Sequence, residues 1–147
     1  MIEEYNGDLL DQQNPVVTPR SALQVAPVVW ALIETGEEEQ AEKLADMGLE
    51  IARNNIRQGG YGYGVEISDV EIQAVLGNNQ FALDTLVEAV NSGYRNLHWI
   101  EESPFLDQIR SDPEFIAAMD IIRADRAAQL ERVRAAERNG ELPALPQ

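Results

Sequence analysis

A helix–glycine–helix pattern that occurs twice is the feature that most limits how this chain can fold. Gly36 is followed five residues later by Ala41, and the same pair recurs 41 residues further on as Gly77 and Ala82. Around each glycine, apolar residues recur at intervals of three and four, which is the spacing of an amphipathic α-helix. No stretch alternates apolar and polar residues over a useful length, so we expect an all-α fold with essentially no sheet.

Capping residues and helix breakers predict where the helices lie. Thr18-Pro19 favours a helix start, and Pro27 either kinks that helix or marks its true beginning. Ser103-Pro104 and Asp112-Pro113 are two further cap-and-proline starts. The predicted helices after the first cover about 37–58, 66–76, 79–92, 104–110 and 113–138.

These elements imply one helical-repeat domain with short extensions. We expect an extended N-terminal arm over 1–17, a domain over 18–138 and a flexible tail over 139–147. Within the domain, the repeats cover about 19–58 and 66–93, and capping helices cover about 103–138.

Small residues at equivalent positions of the two hairpins predict close contact between helices. A side chain larger than methyl there would push the paired helices apart. One hairpin cannot bury its apolar face alone, so neighbouring hairpins must stack. The predicted packing positions are Gly36, Ala41, Gly48, Gly77, Ala82 and Ala89.

This pattern resembles the tetratricopeptide (TPR) repeat. In that family a glycine ends the first helix, an alanine opens the second, and another small residue follows about seven positions later. The resemblance implies a TPR-like α-α superhelix of two irregular helical hairpins plus C-terminal capping helices. The offset of 41 residues exceeds the usual repeat of about 34. Arg53 also stands where such a unit often ends with proline.

A second resemblance covers roughly residues 70–138. Gly93-Tyr94-Arg95 is followed by Trp99, by the stretch from Leu106 to Phe115, and by an arginine-rich helix. This order is similar to the closing segment of repeat regions at the C-terminal end of larger bacterial proteins, among them multidomain nucleotide cyclases and winged-helix transcriptional regulators. It implies that the chain is, or descends from, such an interaction region. The chain contains no cyclase motif and no winged helix, so the chemistry of those proteins is not carried over.

Charge limits the classes of partner. The 147 residues include 26 acids and 11 Lys or Arg, which gives a net charge of −15. This charge opposes direct binding to nucleic acid or anionic lipid and favours a protein partner or a basic or amphipathic peptide. No apolar run is long enough to span a membrane and the N-terminus does not resemble a signal peptide, so we expect no membrane insertion. A cytoplasmic location is favoured, and a periplasmic one stays open if the chain is part of a larger protein.

The residues needed for common catalytic and metal sites are scarce. There is no cysteine and only one histidine, His98, so we expect no enzyme activity, catalytic residue, metal or cofactor. We interpret His98 as a packing or hydrogen-bonding residue, and the acids at 37–39 and 101–102 as solvated. The glycine-rich segment 59–64 lacks a phosphate-loop pattern and is an inter-helix loop. Its Tyr61 and Tyr63 are candidate partner contacts.

The first helix of each hairpin lines the concave surface in such solenoids, which places a peptide groove there. An acidic groove with an aromatic floor suits a basic or amphipathic peptide. The function predicted is therefore a non-catalytic protein–protein or peptide-binding scaffold. The predicted groove residues are Trp30, Ile33, Glu34, Ile67, Glu71 and Ala74.

Two other functions are compatible with the sequence. The acidity allows an inhibitor that mimics nucleic acid and blocks a basic protein. The chain also allows a self-assembling structural subunit. Leu130 and Val133 lie among arginines in the last helix, which is either solvated or forms a homo-oligomer contact. Trp99, Phe105, Leu106 and Phe115 are expected to cover the open end of the second repeat.

Overall fold

The computed structural model describes residues 9, 15–18, 21–57 and 65–141, and its regular structure there is entirely helical. The all-α prediction is confirmed at this level. None of the helices in these ranges combines the length and apolar character needed to cross a bilayer. The α-helices are α1 (Val25–Glu34), α2 (Glu38–Arg57), α3 (Val65–Val75), α4 (Asn79–Asn91), α5 (Leu97–Glu102) and α6 (Pro113–Arg138), with 3-10 turns at Ala22–Gln24 and Pro104–Leu106.

The first helix begins later than the cap-and-proline signal predicts. Thr18 N donates to Ser21 Oγ at 2.9 Å, and Ser21 N donates to Thr18 Oγ1 at 3.2 Å. This reciprocal pair closes a turn before the 3-10 segment, and α1 starts only at Val25. Pro27 lies in the first turn of α1, where a missing N–H costs little. Pro27 therefore lies at the start of the helix and does not kink it; the first helical residue is Val25, two positions earlier.

Gly36 and Gly77 form two copies of the same helix-ending turn. After α1, Gly36 N donates to Ile33 O and the next N–H donates to Leu32 O; after α3, Gly77 N and the following N–H bond in the same way. This is the Schellman pattern, which needs a left-handed residue, and φ is +81° at Gly36 and +77° at Gly77. A Cβ at either glycine would meet nothing within 4 Å. The predicted packing role is therefore wrong for these two: the backbone conformation requires glycine, not a close neighbour.

The other small positions lie in buried interfaces. Ala41, Ala82 and Ala89 are buried. At Gly48, a Cβ would lie 2.7 Å from Val25 Cγ1 and 2.9 Å from Ile72 Cδ1. Because Val25 belongs to α1 and Ile72 to α3, both helices pack tightly against α2 at Gly48.

Helix α3 is the centre of the fold. It contacts α1, α2, α4 and both 3-10 turns, and every residue from 67 to 74 is buried. Ile72 belongs to the core cluster of the first hairpin, whereas Ile67 and Ala74 belong to that of the second hairpin and the C-terminal segment. The prediction that Ile67 and Ala74 line an open groove is wrong, because neighbouring elements cover α3.

Arg53 links the first hairpin to α3. Its Nε donates to Asp69 Oδ2 at 3.0 Å, and the Asp69 side chain is almost fully buried. Arg53 and Asp69 therefore form an ion pair between α2 and α3.

The segment after α4 closes the second hairpin. Arg110 donates to the carbonyl oxygens of Glu101 at 2.6 Å and Ser103 at 2.8 Å, which holds the turn together. Asp112 caps α6 by accepting from Glu114 N at 2.8 Å. The core cluster of the second hairpin takes Leu106, Ile109 and Phe115 from this segment. The short helix predicted near 104–110 is a 3-10 turn, and α5 was not predicted.

Helix α6 has the predicted bounds but only its first half is packed. Its buried side chains end at Ile122, and Leu130 and Val133 are each 48% exposed. At the other end of the chain, Leu9 and Val17 of the expected arm are buried in the first cluster. Tyr61 and Tyr63, with the rest of the loop 59–64, lie outside the described residues.

A candidate binding pocket beside a buried glutamate

A pocket of about 390 Å³ opens between α1, α3 and the segment from His98 to Phe105. Pockets for small ligands span about 300–1,000 Å³, so this one is at the small end. Most of its lining is apolar, with carboxylates at the floor and rim. It is lined by Leu23, Pro27, Glu71, His98, Trp99, Glu102, Ser103, Pro104 and Phe105.

Glu71 is the polar group at the base of this pocket, and it is only 2% exposed. Its Oε1 accepts from Trp99 Nε1 at 3.0 Å and from Ser103 Oγ at 2.6 Å. Both hydrogen bonds go to the same oxygen. None of the ion pairs found among the described residues includes Glu71. The prediction that Glu71 lies in an open groove is therefore wrong, because the residue is buried and lines the pocket.

Burial raises the pKa of Glu71 above its usual value, and the hydrogen bonds from Ser103 and Trp99 oppose that rise only in part. Desolvation disfavours the charged form of a carboxyl group. A glutamine could accept the same two hydrogen bonds without placing a charge in the interior. A carboxyl group with a shifted pKa inside a cleft is a recurring mark of functional sites, and the acid at Glu71 has a cost that packing alone does not require.

Aromatic side chains extend the pocket along α1. Trp30 is 51% exposed and Trp99 is 40% exposed. The Trp30 and Phe105 ring centroids are 6.5 Å apart. Pro27 lies one turn before Trp30 on α1, so the pocket lining and the exposed indole form one continuous apolar surface.

Two further residues predicted from sequence lie on the same side of α1. Ile33 is half-buried and packs against the first core cluster, and Glu34 is exposed. Of the six predicted groove residues, the structure thus leaves Trp30 and Glu34 at the surface, and brings Glu71 to the pocket from below.

The rim of the pocket comes from α5, which the sequence did not predict. His98 and Glu102 are exposed there, so His98 is a surface residue and not part of the core. Periodicity correctly puts Ile67, Glu71 and Ala74 on one face of α3. It carries no information on the donors to Glu71, which come from 28 and 32 residues further along the chain.

A second depression of about 490 Å³ lies between α4 and α6. Its carboxylates, Asp84 and Glu114, both accept from Gln80 at the surface. No buried titratable group lines it, and the described residues contain no cluster of three or more groups able to hold a metal ion. The pocket at Glu71 is therefore the stronger candidate site.

Comparison of the chain with protein-family models, curated proteins and solved structures finds no significant match. The pocket, its charges and the packing of the helices are therefore the observations from which a function can be inferred.

Proposed function

We propose that the chain is a non-catalytic, peptide-binding module with a TPR-like architecture. Two features support the architecture. The hairpins α1–α2 and α3–α4 turn through the same glycine motif, and α3 packs against both helices of the preceding hairpin. In stacked-repeat proteins each unit contacts its neighbours, and the last unit needs a cover. The segment from α5 to α6 supplies such a cover here.

The observation that carries the function is the acidic pocket with exposed aromatic residues around it. Trp30 and Trp99 offer large apolar contacts of the kind that dominate binding energies at interfaces. Glu71 and Glu102 place two carboxyl groups in this pocket, on a chain whose net charge is −15. A basic or amphipathic peptide matches both properties, since charge complementarity favours its encounter and its orientation.

A panel of labelled basic amphipathic peptides, measured by fluorescence polarisation, tests this function. We expect binding that weakens as salt rises, and that weakens further in Glu34→Lys and Glu102→Lys. Glu42→Lys, an exposed reversal on α2 outside the pocket, is the matched control and should retain more affinity than the other two. Reversal at Glu71 is unsuitable because a buried lysine would disturb the fold. If no peptide binds, or if the three reversals have equal effects, the proposal is wrong.

The resemblance to the closing segment of larger bacterial proteins remains part of the proposal. Arg95 of the Gly93-Tyr94-Arg95 turn donates Nη1 to Val90 O at 2.6 Å and Nε to Asp125 Oδ2 at 2.9 Å. These bonds tie the end of α4 to α6. Such a role fits a segment that ends a row of repeats.

Self-assembly through α6 is a second candidate. Leu130 and Val133 are exposed on a helix half that carries five arginines, from Arg123 to Arg138. Salt-sensitive association in light scattering, lost when the chain is truncated after Arg123, is the result that this function requires. A monomer at every salt concentration would exclude it.

A further inference from the structure

We infer that the pocket beside Glu71 binds the side chain of a single arginine from a partner peptide, an assignment that rests on the proposed peptide-binding function. The charge at the base of the pocket, its walls and its size each favour this occupant.

The base of the pocket has a carboxyl group without a cation. A glutamate is rarely this buried unless it is paired, and the six ion pairs found among the described residues do not include Glu71. Its two hydrogen-bond donors, Trp99 Nε1–H and Ser103 Oγ–H, are neutral. An incoming cation would supply the missing charge and would form a charge-assisted hydrogen bond, which is stronger than a neutral one.

The walls suit a planar cation on an aliphatic stem. Leu23 and Pro27 present apolar surface, and Trp99 and Phe105 present aromatic rings. A guanidinium group is flat, weakly hydrated and able to stack on such rings, whereas an ammonium group is compact and strongly hydrated. Glu102 at the rim adds a second negative charge. These features favour arginine over lysine.

The volume limits the occupant to one side chain. A space of about 390 Å³ is at the lower end of ligand pockets and is too small for a helix or a strand. The exposed Trp30, next to Phe105, is then placed to contact the peptide residues that flank the arginine.

The test uses capped amino acids as probes and the indole N–H signals of the two tryptophans in NMR spectra as the readout. N-acetyl-arginine amide should shift the Trp99 signal, with an affinity on the order of 1 mM, as expected for so small a ligand. N-acetyl-citrulline amide has nearly the same shape without the charge and should bind at least about tenfold more weakly. N-acetyl-lysine amide should bind with an affinity between the two. Equal binding of citrulline would overturn the charge argument, and lysine binding as tightly as arginine would overturn the choice of guanidinium.

Variants locate the probe. Glu71→Gln keeps an acceptor for Trp99 and Ser103 and removes the charge, so it should lose about tenfold in arginine affinity. Glu42→Gln, on the exposed face of α2, should bind like the wild type. Equal affinity in Glu71→Gln would overturn the inference. If Glu71→Gln does not fold, the comparison of arginine with citrulline on the wild type decides alone.

Failure of this inference can be distinguished from failure of the proposed function. Peptides that bind the protein equally well after each arginine is replaced by citrulline would leave the peptide-binding function standing and remove the arginine assignment. If the arginine probe binds at the pocket but no peptide binds the protein, the arginine site would stand and the peptide-binding function would be wrong.

Discussion

Replacing Gly48 by alanine should destabilise this protein, although the same replacement at an exposed helix position is usually stabilising. The added Cβ would lie 2.7 Å from Val25 Cγ1 and 2.9 Å from Ile72 Cδ1. Both neighbouring side chains are fully buried. Ile72 meets the new atom with the end of a side chain that can rotate, but Val25 is β-branched and has few alternative rotamers. One of the two helices that hold these side chains must therefore shift.

The magnitude follows from two opposing terms. Overpacking in a core costs about 1–3 kcal/mol, and the two short contacts at Gly48 favour the upper end. Alanine recovers about 1 kcal/mol of helix propensity relative to glycine. The expected net loss is about 2 kcal/mol. For a chain of this size, that corresponds to a fall in the unfolding temperature of roughly 6 °C.

Urea and thermal unfolding, followed by circular dichroism, measure this loss. Asp46→Ala, an exposed change in the same helix, is the control and should change the free energy of unfolding by no more than about 0.5 kcal/mol. Val25→Ala makes room for the new methyl group, so the double variant should be more stable than the sum of the single changes predicts, by about 1 kcal/mol or more. An unchanged or raised unfolding temperature for Gly48→Ala, or strict additivity with Val25→Ala, would refute the packing described around Gly48.

Three further predictions concern the pocket, the hairpin turn and the C-terminal closure. The raised pKa of Glu71 adds stability that is complete below its unfolded value and is lost as pH rises through the folded value, so the stability of Glu71→Gln relative to the wild type, measured by urea unfolding, should increase as the pH is raised above the unfolded value. Gly77→Ala should cost about 1 kcal/mol because φ is +77° there, and Gly77→Asn should cost less because asparagine tolerates this conformation. Arg110→Lys should lose about 1–2 kcal/mol and speed hydrogen exchange at Leu106, because lysine cannot reproduce the forked contacts to two carbonyl oxygens.

Each of these predictions has a result that contradicts it. A stability difference between Glu71→Gln and the wild type that does not vary with pH would mean that the pKa of this residue is not shifted by folding. If Gly77→Asn costs as much as Gly77→Ala, the turn selects against side-chain bulk and not against conformation. An unchanged rate of hydrogen exchange at Leu106 in Arg110→Lys would mean that Arg110 does not stabilise the turn in the segment after α4.

Local sequence determined most of the helices and their turns. Gly36 and Gly77 end helices because a left-handed residue lets the next N–H groups reach the last free carbonyls. Asp112-Pro113 starts α6 because the aspartate accepts from a free N–H and proline fits the first position. These interactions span a few residues, so the sequence alone predicts the hairpins and both ends of α6. It misses α5, whose cap, Asn96, is followed by only six helical residues.

Tertiary structure alone decided what covers each helix face. The spacing of Ile67, Glu71 and Ala74 correctly predicts a shared face but not the elements that cover it. Covering that face turns an expected groove into a core, and leaves Glu71 bonded to donors 28 and 32 residues away. Gly48 and Gly36 look alike in the sequence, but glycine is needed at the two positions for different reasons. At Gly48 close neighbours leave no room for a Cβ, whereas at Gly36 the positive φ favours glycine. Periodicity reports the direction of a side chain along its own helix, whereas burial depends on distant segments that pack against it.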